Sequence, residues 1–206
     1  MEKFISHTGI AAPLLRDNID TDAIIPSREM KTVSKMGLGV GLFSAWRYVS
    51  KDSREPNHEF ILNKPEYKGA SILLSSDNFG CGSSREHAVW ALKDFGIRCI
   101  IAEGFGSIFA RNCLRNGILV IELAKDQIQK ICAYVETLPQ ENKVEIDLPS
   151  QFIHLSGRDK INFNIVESDK EVLLKGLDHI AMTLELADDI QNFVDKDRSS
   201  RPWIHS

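Results

Sequence analysis

The stretch Asp77-Asn78-Phe79-Gly80-Cys81-Gly82-Ser83-Ser84-Arg85-Glu86-His87 concentrates reactive and anion-binding groups as no other part of the 206 residues does. Gly80 and Gly82 permit sharp backbone turns and close ligand approach. Ser83, Ser84 and Arg85 then place two hydroxyls and a guanidinium at a predicted helix start, where the dipole and unpaired N–H groups favour negative charge. Arginine adds a planar fork for a carboxylate. Together they describe a site for a small carboxylate. A plainer reading stands beside it. Ser83-x-x-Glu86 fits a capping box, so Ser83 could serve only as a helix N-cap worth about 1 kcal/mol. Capping alone, however, needs neither the two glycines nor the arginine.

Two other chemistries test poorly. A hydrolase elbow needs G-x-S-x-G, and here Gly82 directly precedes Ser83, with His87 roughly one turn inside the helix. A dinucleotide turn could begin at Gly104-Phe105-Gly106, with Glu122 as its ribose acid. Its third glycine position is Phe109, which would obstruct helix–sheet packing.

The elements that must position these residues follow from periodicity. Residues 70–75 (ASILLS), 98–102 (RCIIA) and 118–123 (ILVIEL) are short apolar runs of buried strands. Between them, 84–95 and 107–116 read as helices, the second closed by Gly117. The alternation predicts an α/β fold with parallel pairing. Residues 6–15 read as a weak strand entering the turn RDNIDTD, and 23–26 as an apolar run stopped by proline. Gly37, Gly39 and Gly41 suggest a flexible connection over 27–46. Residues 126–137 predict a helix, 143–148 and 161–166 half-buried strands, and 184–194 a closing helix. Ser168-x-x-Glu171 is a capping box that would open another helix. Ile108, Leu114, Ile118 and Val120 read as core, with Arg111 and Asn112 as braces for the site. We expect one domain over residues 1–197 and a polar tail over 198–206, with Trp203 as an anchor onto the chain's own body.

Composition bounds the function. The chain is 43% hydrophobic and 26% charged, as ordinary globular proteins are. A net charge of −4 argues against a phosphate-backbone binder. Residues 167–197 hold nine acids against three bases, so the remainder is slightly basic. No apolar run approaches a membrane span. MEKFISHTGI has no signal core, so a cytoplasmic location is expected. Cys81, Cys99, Cys113 and Cys132 lie 18, 14 and 19 residues apart, without the close spacing of a zinc or iron–sulfur site.

The string NFGCGSSREHAVWAL resembles the signature of the aconitase superfamily's swivelling domain. RDNIDTDAIIP and GFGSIFARNCLRNGILVIEL resemble its flanking blocks. With GLGVGLFSAWRY, the likeness extends over nearly the whole chain and is greatest to the small-subunit family of isopropylmalate isomerases. The resemblance implies a three-layer α/β swivelling domain, a mixed sheet with flanking helices. It implies a hydro-lyase of leucine biosynthesis, which interconverts 2- and 3-isopropylmalate by dehydration and rehydration. That enzyme would be a heterodimer or heterotetramer, active only with a large subunit that carries a [4Fe–4S] cluster as Lewis acid. No cofactor would be bound by this chain. By position, Ser83 matches the catalytic base and Asp22 a catalytic partner, although Asp is also a common turn residue. Gly82, Ser84 and Arg85 match the substrate-binding groups. Substrate choice would fall to residues 27–33, where Arg28 or Lys31 could bind a carboxylate and Met30 or Val33 an isopropyl group. Related hydratases of citramalate, dimethylmaleate or homoaconitate type, a nucleotide-binding enzyme and a non-catalytic swivelling module are the alternatives.

Overall fold

The computed structural model describes residues 1–30, 34–50, 52–155, 159–177 and 179–204. The chain runs β1 (Ser6–Leu14), α1 (Thr21–Ile24), α2 (Ser44–Arg47), β2 (Ala70–Ser75), α3 (Glu86–Phe95), β3 (Cys99–Ala102), α4 (Ser107–Asn116), β4 (Leu119–Glu122) and α5 (Lys125–Thr137). It continues through β5 (Val144–Asp147), β6 (Phe152–His154), β7 (Lys160–Asn162), α6 (Glu167–Lys175), α7 (His179–Leu184) and α8 (Ala187–Ser200).

The strands form one seven-stranded mixed sheet in the order β4-β3-β2-β1-β5-β6-β7. β1 to β4 pair in parallel, while β5 joins β1 antiparallel and continues into β6 and β7. Strand residues point alternately to the two faces; β2 and β3, covered on both, are apolar almost throughout, whereas β5 (VEID) and β7 (KIN) alternate buried and exposed residues. Leu73, Ile100 and Ala102 pack in one core with Ala88 and Leu92 of α3 and Phe109 and Cys113 of α4. Ile72, Leu74 and Ile101 pack in the other with Ile128, Ile131 and Val135 of α5 and Leu173 of α6. The three-layer α/β arrangement is therefore present.

The predicted strand at 70–75 and helix at 107–116 have the expected bounds, and Gly117 closes α4 in the left-handed conformation. Other expectations need correction. α3 begins at Glu86 with Arg85 at its N-cap, not at Ser84. α6 begins at Glu167, ahead of Ser168, and no side chain caps it. The last predicted strand is shorter, Lys160–Asn162, and β6 was not anticipated. The closing helix is two helices, and α8 runs on to Ser200. Trp203 is 71% exposed, so the expected burial against the body is not seen. Around Gly39 and Gly41 the chain is not the loose connection expected. Gly39 and Gly41 are buried, and an added Cβ would lie 2.8 Å from the Phe95 nitrogen or from Glu29 Cβ. These glycines serve close packing.

Gly80 carries the strictest steric demand near the signature. Its φ is +75°, and an added Cβ would lie 2.1 Å from Phe109 Cγ. Gly69 shares the left-handed backbone, with φ +81° and open space around it. Gly80→Ala should therefore cost about 3 kcal/mol, from overpacking added to backbone strain. Gly69→Ala should cost only ~1 kcal/mol, from the backbone alone. Chemical denaturation of both variants checks the difference.

Candidate functional site

Three loops meet beyond the carboxyl ends of β1, β2 and β3, where open α/β sheets place ligands. The loop after β2 is held on both sides like a continued strand. Gly80 N–H donates to the Ile19 carbonyl at 2.7 Å, and Thr21 N–H to the Cys81 carbonyl at 3.0 Å. On the other side Phe79 N–H donates to Gly104 and Gly106 N–H to Phe79, both at 2.9 Å. At Gly82, with φ +87°, the chain turns out of this ladder. The N–H groups of Gly82, Ser83 and Ser84 donate to no acceptor among the described residues. The Ser83 carbonyl is fixed instead, accepting from the buried Thr21 hydroxyl at 3.0 Å and from Arg85 N–H at 2.8 Å.

The resulting cavity, about 250 Å³, is lined by Gly82, Ser83, Ser84 and Arg85, with Thr21, Asn78, Ser107 and Ile108 among its other walls. Ser83 is not the N-cap of α3, so the capping-box reading fails; the chain needs two more residues before the helix begins. Gly82, Ser83 and Ser84 are exposed, and Arg85 is half-buried. Neither α3 nor α4 has a side-chain cap at its N-terminus. Their first N–H groups and the Arg85 guanidinium make this rim favourable to an anion.

Asp22 meets this group through Arg85, whose Nη1 donates to Asp22 Oδ1. The pair ties α1 to the start of α3. Asp20 caps α1, accepting from Ala23 N–H at 2.6 Å. Arg28 is placed elsewhere. Its Nη2 donates to Ser44 Oγ at 3.1 Å, its Nε lies 3.4 Å from Glu29, and it does not line the cavity. Met30 packs against the core. Lys31 and Val33 lie outside the described residues. Ile108, expected in the core, is 52% exposed and lines the cavity. Sequence reasoning passed over Ser107 as well. The signal was available: both open a helix directly after the Gly104-Phe105-Gly106 turn. At both glycines of that turn the space a side chain would take is filled by the chain itself. A Cβ on Gly104 would lie 2.5 Å from the Asp77 carboxylate, and one on Gly106 2.6 Å from the Gly80 carbonyl.

The cysteines do not fit an iron–sulfur cluster. Cys99 and Cys113 are fully buried, and desolvation pushes both thiols up. Desolvation and the nearby Glu136 push Cys132 up to about 11. Burial and then the charge of Asp20 raise the Cys81 thiol, against the thiolate a ligand must be. No three His, Cys, Asp or Glu side chains among the described residues gather as a metal site. No helix among those residues is long and apolar enough to cross a membrane.

The Arg28 neighbourhood predicts a pH dependence. Burial pushes the Glu29 carboxyl up, but the hydrogen bond and charge of Arg54, with Ser44 and Arg28, hold it below its ordinary value. The unfolded chain therefore takes the proton first as pH falls. This stabilisation is present above the ordinary carboxylate range and lost as pH drops through the lowered value. Glu29→Gln should be less stable near neutrality and show a flatter stability profile under acid, measured by urea midpoints across pH.

Comparison with known proteins places the chain in a family. The Aconitase C-terminal domain family matches residues 1–126. The 3-isopropylmalate dehydratase small subunit of Cupriavidus necator is 53% identical over 205 residues, covering 100% of this chain and 99% of that one. The protein of the same name from Rhodopseudomonas palustris (strain HaA2) is 47% identical, covering 98% of this chain and 100% of that one. The crystal structure of 3-isopropylmalate dehydratase from Methanocaldococcus jannaschii superposes with a TM-score of 0.64 at 27% identity, covering 91% of this chain and 98% of that one. A cavity at the strand ends, an anion-seeking rim and full-length identity at this level lead to one assignment: the chain belongs to the 3-isopropylmalate dehydratase small subunits, a family built on the aconitase C-terminal domain.

Proposed function

We propose that this chain supplies the basic half of an isopropylmalate isomerase active site, for a hydro-lyase of leucine biosynthesis. The observation that carries the reading is the exposed Ser83, set among N–H groups without acceptors among the described residues and two positions before Arg85. Dehydration of 2-isopropylmalate removes a proton from the carbon beside one carboxylate. Ser83 Oγ takes that proton. To act as a base the oxygen must bear negative charge, which the N–H groups of Gly82 to Ser84 and the Arg85 guanidinium stabilise. Arg85 also binds the carboxylate next to the reacting carbon, exchanging its Asp22 partner for substrate. Asp22 keeps the guanidinium oriented until then. Rehydration reverses these roles at the adjacent carbon.

Such a base works only in a water-excluded site. Here Ser83 and Ser84 are exposed, so a second chain has to close the cavity. The large subunit implied by the relatives' name fills that role. The cluster and the chemistry at the departing hydroxyl belong in our reading to that chain, since this chain's thiols do not fit them.

Ser83→Ala, assembled with an iron–sulfur large subunit, should lose about a hundred- to ten-thousand-fold in kcat while binding the partner normally. Near-full turnover would show that the base lies elsewhere. Arg85→Lys should raise KM for isopropylmalate on the order of tenfold, because an ammonium cannot form the paired contact. Both follow from the ultraviolet absorbance of the unsaturated intermediate acid.

A further inference from the structure

The cavity beyond the strand ends has two kinds of wall. Gly82, Ser83, Ser84 and Arg85 make one of them, of backbone, hydroxyls and a guanidinium, and it suits a carboxylate. The other is the first turn of α4, where the large side chain presented to the cavity is Ile108. Ile108 is 52% exposed and belongs to neither hydrophobic core. Phe109, the cavity's other large apolar residue, is only 3% exposed. Its ring faces the interior, with its centre 5.4 Å from that of Phe79.

The direction of Ile108 follows from its neighbour. Successive helix residues are turned by about 100°. Phe109 is held against Gly80, where an added Cβ would lie 2.1 Å from its Cγ, so Ile108 is turned away from that contact. A β-branched side chain in a helix keeps mostly to one rotamer, so the wall it makes is preformed. A single exposed apolar residue on an open surface needs no function. Ile108 differs in its setting, which is concave. Apart from Phe109 and Cys81, the residues that line the cavity with it are polar or glycine.

We propose that Ile108 is a specificity-determining residue, the wall against which the alkyl branch of a substituted malate rests. The inference builds on the reading of Ser83 as the base and names what that site selects. The substrate's own geometry calls for such a wall near the base. Its branch is carried by one of the two carbons that react, so it lies within two bonds of the carbon that loses its proton. The branch therefore enters the cavity with the reacting carbons. A carboxylate toward Arg85 and an alkyl group toward Ile108 match the two walls. Of the residues expected to choose the substrate, Arg28 bonds Ser44 and Met30 packs against the core, and neither lines the cavity.

The test compares two substrates on the enzyme assembled with its large subunit. Hydration of isopropylmaleate and of methylmaleate is followed at steady state, and selectivity is the ratio of their kcat/KM values. Where methylmaleate turns over too slowly, the ratio of the two acids' inhibition constants against 2-isopropylmalate serves instead. Ile108→Ala should lower the selectivity on the order of tenfold, through a raised KM for isopropylmaleate, and should change the constants for methylmaleate by about threefold or less. Ile108→Phe narrows the cavity and should also lower the ratio, by excluding the larger branch while admitting the smaller. Ser83→Ala, in the same assay, should slow both substrates alike and leave the ratio unchanged, so a failed base and a failed wall are seen separately. A ratio unchanged in both Ile108 variants would overturn the proposal. So would an Ile108→Ala variant that binds the large subunit more weakly at unchanged ratio, which would make Ile108 an interface residue.

Discussion

The site depends on a short ladder of backbone hydrogen bonds that outlasts the sheet. Beyond the last regular pairs of β1, β2 and β3, residues 79–81 remain bonded to Ile19 and Thr21 on one side and to Gly104 and Gly106 on the other. The three segments can come this close only because Gly80 and Gly106 have no side chains to intrude on Phe109 or on the Gly80 carbonyl. The ladder reaches as far as the Cys81 carbonyl, which accepts from Thr21 N–H. From Gly82 to Ser84 the N–H groups have no acceptor among the described residues, and these residues line the cavity. A surface that would otherwise be closed by its own hydrogen bonds thus presents several donors at once.

Everything that gives the cavity its character follows from those donors. Ser83 and Ser84 stand outside the helix rather than capping it, so their hydroxyls are not consumed locally. Arg85 occupies the N-cap and reaches back to Asp22, joining the first loop to the second. α4, packed through Phe109 against Gly80, brings its own uncapped N-terminus to the same rim. In the function we propose, this arrangement binds a dicarboxylate and is completed by a covering chain.

Much of the fold was legible because its signals are local. The apolar run at 70–75 and the helix closed by Gly117 need only neighbouring residues to be read, and their bounds came out as expected. What was misread depends on partners far along the chain. Ser83-x-x-Glu86 has the spacing of a cap, but the Thr21 hydroxyl, 62 residues away, holds the Ser83 carbonyl in a different course. Arg28 has the charge of a carboxylate ligand, yet Ser44 takes one end of it and Glu29, which also holds Arg54, takes the other. Ile108 has the composition of a core residue, but it falls on the first turn of α4, at the edge where the cavity opens. In each case residue type was informative and direction was not, because direction is set by contacts that local spacing does not encode.

The central claim is that this chain holds half of an active site, closed by another. Hydration of the unsaturated acid, followed while large subunit is titrated into a fixed amount of this chain, tests it most directly. The account predicts no turnover from the chain alone, and a rate that rises with added partner until the small subunit is saturated. Sustained turnover by the isolated chain, unchanged on adding the partner, would contradict it.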